Sequence, residues 1–152
     1  MELGYSLGDV QTPALLRQAR GAYSLAIRIR LSAEGLSDLP KNGPYLVGGL
    51  DNGVSAAQLV SEMGLSDSQI EELLEKLLEG NFVEANDGPF MDDALDLRNT
   101  ARGSRAANAV SEAIDNVNRE LALALSAEEF RGFQSGLVAL GAIKARTESS
   151  LH

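Results

Sequence analysis

Carboxylates are the side chains of this chain best placed to do chemistry, and half of them fall in one stretch. Between Ser55 and Arg98 eleven acids face two bases, Lys76 and Arg98, a balance of −9, while the remainder of the 152 residues holds eleven of each sign. Oxygen clusters suit hard cations such as calcium or magnesium. Asp87, Asp92 and Asp93 offer such a cluster, but their spacing is that of no known binding loop, and no metal site is assigned. The absence of cysteine excludes disulfides, thiolate zinc sites and cysteine nucleophiles. The one histidine, His152, is the last residue of the sequence, a position where disorder is the expectation, and it reads as neither ligand nor general base. No phosphate-cradling glycine loop, metal motif or nucleophile with a nearby base is present. The expectation is a protein without catalytic residues or cofactor, whose charged surface attracts basic partners and repels polyanions.

The bulk composition narrows the class further. A length of 152 residues suits one domain, or a small domain with a dimerisation extension. Hydrophobic residues at 44% and charged residues at 23% are ordinary for a folded soluble protein. No apolar run approaches the roughly 20 residues that span a bilayer, so no membrane partner is expected. The first residues, with Glu2 and Asp9 and no basic segment, do not read as a signal peptide. A cytoplasmic location follows as the expectation.

Helical and turn signals arrange the acidic stretch between helices. Thr12 as N-cap with Pro13 behind it predicts a first helix, with Leu15, Leu16, Ala19, Ala22, Tyr23, Ala26 and Ile27 as its apolar stripe. A weak short helix is expected around Pro44 to Leu50, ended by the turn Asp51-Asn52-Gly53. Two capping boxes follow, Ser55 with Gln58 and Ser66 with Gln69. The first opens a helix ended by Gly64, and the second opens one carrying Ile70, Leu73, Leu74, Leu77 and Leu78, with Gly80 as its C′ residue. Two short helices joined by a tight glycine turn form a helix-turn-helix unit. Phe82 to Ala85 and Ala94 to Leu97 predict two strands of a wing about the turn Asn86 to Pro89. A long helix over Ala106 to Leu125 comes next, and a third capping box, Ser126 with Glu129, opens a last helix. The predicted buried face of that helix is Phe130, Phe133, Leu137, Leu140 and Ile143.

This order resembles the MarR family of dimeric winged-helix regulators. Ser55 to Gly64 (SAAQLVSEMG) is similar to the family's first helix-turn-helix helix, and Leu73 to Val83 (LLEKLLEGNFV) to the exit of its recognition helix into the wing. Leu95 to Gly103 (LDLRNTARG) is similar to the strand, threonine and glycine that enter the long helix, with Asn99-Thr100 where Leu-Thr is usual. Ser126 to Leu140 resembles the final dimerisation helix. The resemblance implies a mainly α fold with a small β-wing, arranged as a MarR-like homodimer. Residues 1–38 would be a dimerisation helix and linker, 39–98 the winged helix-turn-helix, and 99–152 the C-terminal dimerisation helices. It also implies a cavity for a small-molecule effector between the dimer region and the winged unit. One sequence names neither the effector nor the cavity residues, because pocket and core look alike.

The chain departs from the family where DNA is touched. The residues that a recognition helix would present are Asp67, Ser68, Gln69, Glu71, Glu72, Glu75, Lys76 and Glu79. The family's wing carries an Asp-Arg-Arg element, where this chain has Met91-Asp92-Asp93-Ala94. Affinity for DNA comes mainly from cations that neutralise phosphates, so DNA is an electrostatically disfavoured partner. Candidate DNA contacts are Ser66, Ser68, Gln69, Glu72, Lys76, Arg98 and Arg102. The alternative is a protein that no longer binds DNA and acts through a basic protein partner, DNA mimicry or small-molecule binding. Its acidic interaction surface would comprise Asp67, Glu71, Glu75, Glu79, Asp87, Asp92 and Asp93. Blander readings stand beside both. Asp67, Glu71 and Glu72 complement the helix dipole and Glu72 can pair with Lys76, and Phe90 and Met91 fold back onto the helix or face a partner. Arg98, Arg102 and Arg105 can pair with Glu112, Asp115 and their neighbours. Arg17, Arg20, Arg28 and Arg30 form a separate cluster on the first helix.

Overall fold

The computed structural model describes residues 11–85 and 96–151. Six helices and two short strands follow in the expected order: α1 (Thr12–Ala33), α2 (Gly43–Asp51), α3 (Ala56–Met63), α4 (Asp67–Glu79), β1 (Val83–Ala85), β2 (Leu97–Asn99), α5 (Ala101–Ala124) and α6 (Ala127–Ser150). The chain divides into two compact units, one running to Ile114 and the other from Asp115. The expectations for Asp87, Phe90, Met91, Asp92, Asp93 and His152 lie outside the described residues.

Buried leucines and a recurrent helix ending hold the first unit together. At the end of α1 the amide of Leu36 donates to the Leu31 carbonyl at 2.8 Å and that of Gly35 to Ser32 at 3.1 Å. This is a Schellman ending, in which the residue after the left-handed position reaches back to pack on the helix. Leu31 and Leu36 are both buried. The same device ends α4, where Phe82 donates to Leu77 at 2.9 Å and Asn81 to Leu78 at 3.0 Å. Phe82 and Leu77 are both fully buried, and burial of side chains this large stabilises a fold by about 1.5–3 kcal/mol each.

That ending corrects the expected role of Gly80. Gly80 is the C-cap in right-handed conformation, with φ −77°, and Asn81 takes the left-handed position at φ 60°. Asparagine tolerates that conformation better than most residues. Gly80 answers a different need, since a Cβ there would lie 2.9 Å from the Phe82 ring and 3.2 Å from the Lys76 carbonyl. Gly103 is tighter still, as its Cβ would fall 2.0 Å from the Phe82 carbonyl oxygen. Thr100 fixes the same junction: its hydroxyl lies 2.6 Å from the Asn81 carbonyl and accepts from the Gly103 amide at 3.0 Å. The threonine and glycine at the head of α5 thus bind that helix to the exit of α4.

Four further expectations are corrected. Gln11, not Thr12, is the N-cap of α1 and makes no side-chain bond, with Pro13 in the first turn. The apolar stripe of α1 is at best half-buried, and Leu31 is the buried residue of the helix. Among the described residues the second strand covers Leu97–Asn99 and so runs two residues past the expected end at Leu97, in antiparallel register with Val83 opposite Asn99 and Ala85 opposite Leu97; Ala94 and Leu95 of the expected strand lie outside the described residues. Finally, α6 buries no residue: Phe130 and Phe133 are half-buried, while Leu137, Leu140 and Ile143 are more than 40% exposed. Helical periodicity predicts an apolar stripe without saying what covers it.

Candidate functional site

The helix-turn-helix is built locally as its sequence requires. Ser66 and Gln69 satisfy each other's backbone amides in a full capping box. Ser55 caps α3 by accepting from the Gln58 amide at 3.2 Å, but the Gln58 side chain turns to Glu62 at 3.2 Å, leaving half a box. Gly64, at φ 67°, makes the tight turn between the helices. Leu73, Leu74 and Leu77 anchor α4 in the core, so Asp67, Ser68, Glu71, Glu72, Glu75, Lys76 and Glu79 all face solvent.

The three candidate cations of the winged unit and the head of α5 each have a partner. Lys76 pairs with Glu72 at 3.1 Å, the expected i, i+4 contact. Arg98 stands opposite Glu84 across the two strands and pairs with it at 2.8 Å. Arg102 is bound more deeply. One guanidinium nitrogen donates to the Gly80 carbonyl, the other reaches Asp38 at 2.8 Å, and the group lies 4.2 Å over the Phe82 ring. The Arg102 hydrogen bond holds the Asp38 carboxyl below the ordinary carboxylate range. The two arginines pair within the chain, as one reading expected, but Glu112 serves Arg30 instead and Arg105 donates to the Glu34 carbonyl at 3.2 Å. Asp38 carried no signal in the sequence, since it stands 64 residues from its partner. Of the candidate DNA contacts, Ser66 and Gln69 are used in capping and Glu72, Lys76, Arg98 and Arg102 in pairing, while Ser68 is exposed on the first turn of α4.

A cavity of the opposite sign lies in the same unit. An open cleft of about 690 Å³ is walled by α1, the 37–45 segment and α5. Its apolar lining includes Ile27, Leu31, Leu39, Val110 and Ile114, and its charged lining among the described residues is Arg20, Arg28 and Lys41, with no carboxylate among them. Among the described residues none of the three cations has an ion-pair partner. A neighbouring cleft of about 380 Å³ shares Arg20, Pro40, Lys41 and Asn42 with the first and extends to Gln69, Glu72 and Lys76 of α4. Tyr45 also borders the first cavity and donates to Glu62 of α3 at 2.7 Å. That bond raises the pKa of Tyr45 and lowers that of Glu62. In the sequence Arg20 and Arg28 read as a surface cluster. The clue to the cavity was that Arg20, Ser24, Ile27, Arg28 and Leu31 recur at helical spacing, which mixes cations into an apolar face.

No metal-competent cluster of three or more acids or histidines occurs among the described residues, and no helix among them is long and apolar enough to cross a membrane. No family model matches the sequence, and no curated protein matches it. The structure is similar to that of the Mycobacterium tuberculosis MarR family protein Rv2887 in complex with p-aminosalicylic acid, at 23% identity and TM-score 0.55, over 87% of this chain and 99% of that one. A mutant of S. aureus MepR bound to an oligodeoxyribonucleotide also matches, at 14% identity and TM-score 0.49, over 88% of this chain and 97% of that one. Element order, the capped helix-turn-helix, the two-stranded wing and the likeness to Rv2887 agree: the chain has the MarR-like winged-helix fold.

Proposed function

We propose that this chain is a homodimeric, cytoplasmic MarR-like regulator whose contact with DNA is weak and is set by a small organic anion held in the cavity. The observation that carries the reading is the cavity itself: three cations over an apolar lining, with no acid in the wall, in a protein of net charge −9. Ligand sites combine an apolar surface with a few convergent polar groups, and an arginine is the group best suited to a carboxylate. The complex of Rv2887 with p-aminosalicylic acid makes that aromatic carboxylate the natural first probe. The homodimer is supported by α6, whose Leu137, Val138, Leu140 and Ile143 are left exposed in the single chain. A second reading, that the winged unit docks a basic protein instead of DNA, is favoured by the pairing of Lys76 and Arg98 with acids.

The test is fluorescence anisotropy of random-sequence and genomic-fragment duplexes at about 50 mM salt, where electrostatic affinity is greatest, with and without p-aminosalicylate. Binding that weakens with salt and shifts with the anion supports the regulator. No binding at that salt removes it and leaves the protein-docking reading.

A further inference from the structure

We infer that the cavity takes an elongated anion with a negative group at each end and an apolar body between them. The inference rests on the cavity being the effector site. Arg20 and Arg28 both line it, and eight residues of helix at 1.5 Å rise separate them by about 12 Å along the axis of α1. Lys41 lines both this cavity and the neighbouring cleft, as Arg20 does and Arg28 does not. The cations therefore form two poles, Arg20 with Lys41 at one end and Arg28 at the other. Between the arginines α1 contributes Ser24 and Ile27, and Leu31, Val110 and Ile114 supply an apolar surface. Leu31 and Val110 are buried parts of the core, so this surface is fixed rather than adaptive.

The absence of acids in the wall makes this arrangement informative. A monoanion engages one pole and leaves the other cation to solvent at the open cleft. A ligand with two anionic ends forms a charge-assisted contact at both, and such contacts are about twice as strong as neutral ones. A single carboxylate on a long apolar body would need only one cationic pole, so Arg28 would have no role in its recognition.

Isothermal titration of the full chain with biphenyl-4-carboxylate and biphenyl-4,4′-dicarboxylate isolates the second charge, because the body is the same. The dicarboxylate is expected to bind about tenfold tighter. Arg28→Gln should abolish that advantage, costing the dicarboxylate about tenfold and the monocarboxylate less, and Arg20→Gln should weaken both ligands. Arg20 and Arg28 are exposed, and circular dichroism checks that both variants fold. Equal affinity of the wild type for the two ligands, or an advantage that survives Arg28→Gln, overturns the two-ended ligand. Failure of both ligands and of p-aminosalicylate to bind overturns the cavity reading beneath it.

Discussion

Two surfaces of the unit that runs to Ile114 carry opposite charge, and they teach that a net charge says little about where anions can go. The outward face of α4 presents Asp67, Glu71, Glu72, Glu75 and Glu79 around one lysine that is already paired. The cavity presents Arg20, Arg28 and Lys41 with no acid in its wall. The two nonetheless meet, since the cleft beside the cavity brings Arg20 and Lys41 to Glu72 and Lys76. Carboxylates on the first surface oppose the approach of a polyanion. A small anion reaching the second meets cations at close range.

The strongest way to break the comparison is to reverse the charge of α4. Asp67, Glu71 and Glu75 recur every four residues on one exposed face. Replacing all three (Asp67→Lys, Glu71→Lys, Glu75→Lys) should produce DNA binding at low salt. With three phosphates neutralised, that affinity should fall about 40-fold between 50 and 200 mM salt. Affinity for p-aminosalicylate should stay within about twofold, because none of the three acids lines the cavity or the cleft beside it. Anisotropy and calorimetry on one preparation check both. A variant that still ignores DNA means that α4 does not face it, and a wild type that binds equally well means that the acids do not govern affinity.

A smaller effect separates two arginines that look equivalent in the sequence. Arg102 is half-buried and joins Gly80, Asp38 and the Phe82 ring, whereas Arg98 makes one exposed ion pair with Glu84. Arg102→Ala should cost about 2 kcal/mol and Arg98→Ala about 0.5 kcal/mol or less, measured by urea unfolding. Equal losses would return Arg102 to the pool of surface cations that could meet phosphate, and would weaken the contrast between the acidic face and its neighbours.

The sequence shows the parts of this design that are local. Capping boxes at Ser66 and Ser126, the turn at Gly64 and the spacing of Leu73, Leu74 and Leu77 each depend on residues within one or two turns, and all are found as expected. The pair Glu72–Lys76 was visible for the same reason. What escaped depends on contacts made across the chain. Asp38 meets Arg102 from 64 residues away, Asn81 rather than Gly80 turns left-handed while Gly80 makes room for the Phe82 ring, and the cavity joins α1 to the 37–45 segment and α5. The sign of the acidic stretch could be counted from one sequence. The sign of the cavity could not, because it depends on which side chains the fold turns toward each other.

The smallest expected effect concerns Asp38, the acid that meets Arg102. Asp38 has its carboxyl held below the ordinary range, first by its hydrogen bond to Arg102. A depressed pKa means that the folded state favours the charged carboxylate. The resulting stability is complete above the ordinary pKa of about 3.9 and is lost as pH falls through the lower folded value. Because the Asp38 side chain is more than half exposed, solvent screening limits the contribution to about 0.5 kcal/mol or less. Asp38→Asn should therefore cost little at pH 7 and should slightly flatten the decline in stability below pH 4, as read by urea midpoints across that range. A loss as large as that of Arg102→Ala would show instead that the arginine is held by charge. The Phe82 ring and the Gly80 carbonyl would then be incidental, and the division between an acidic outer face and an independently packed arginine would fail at its closest point.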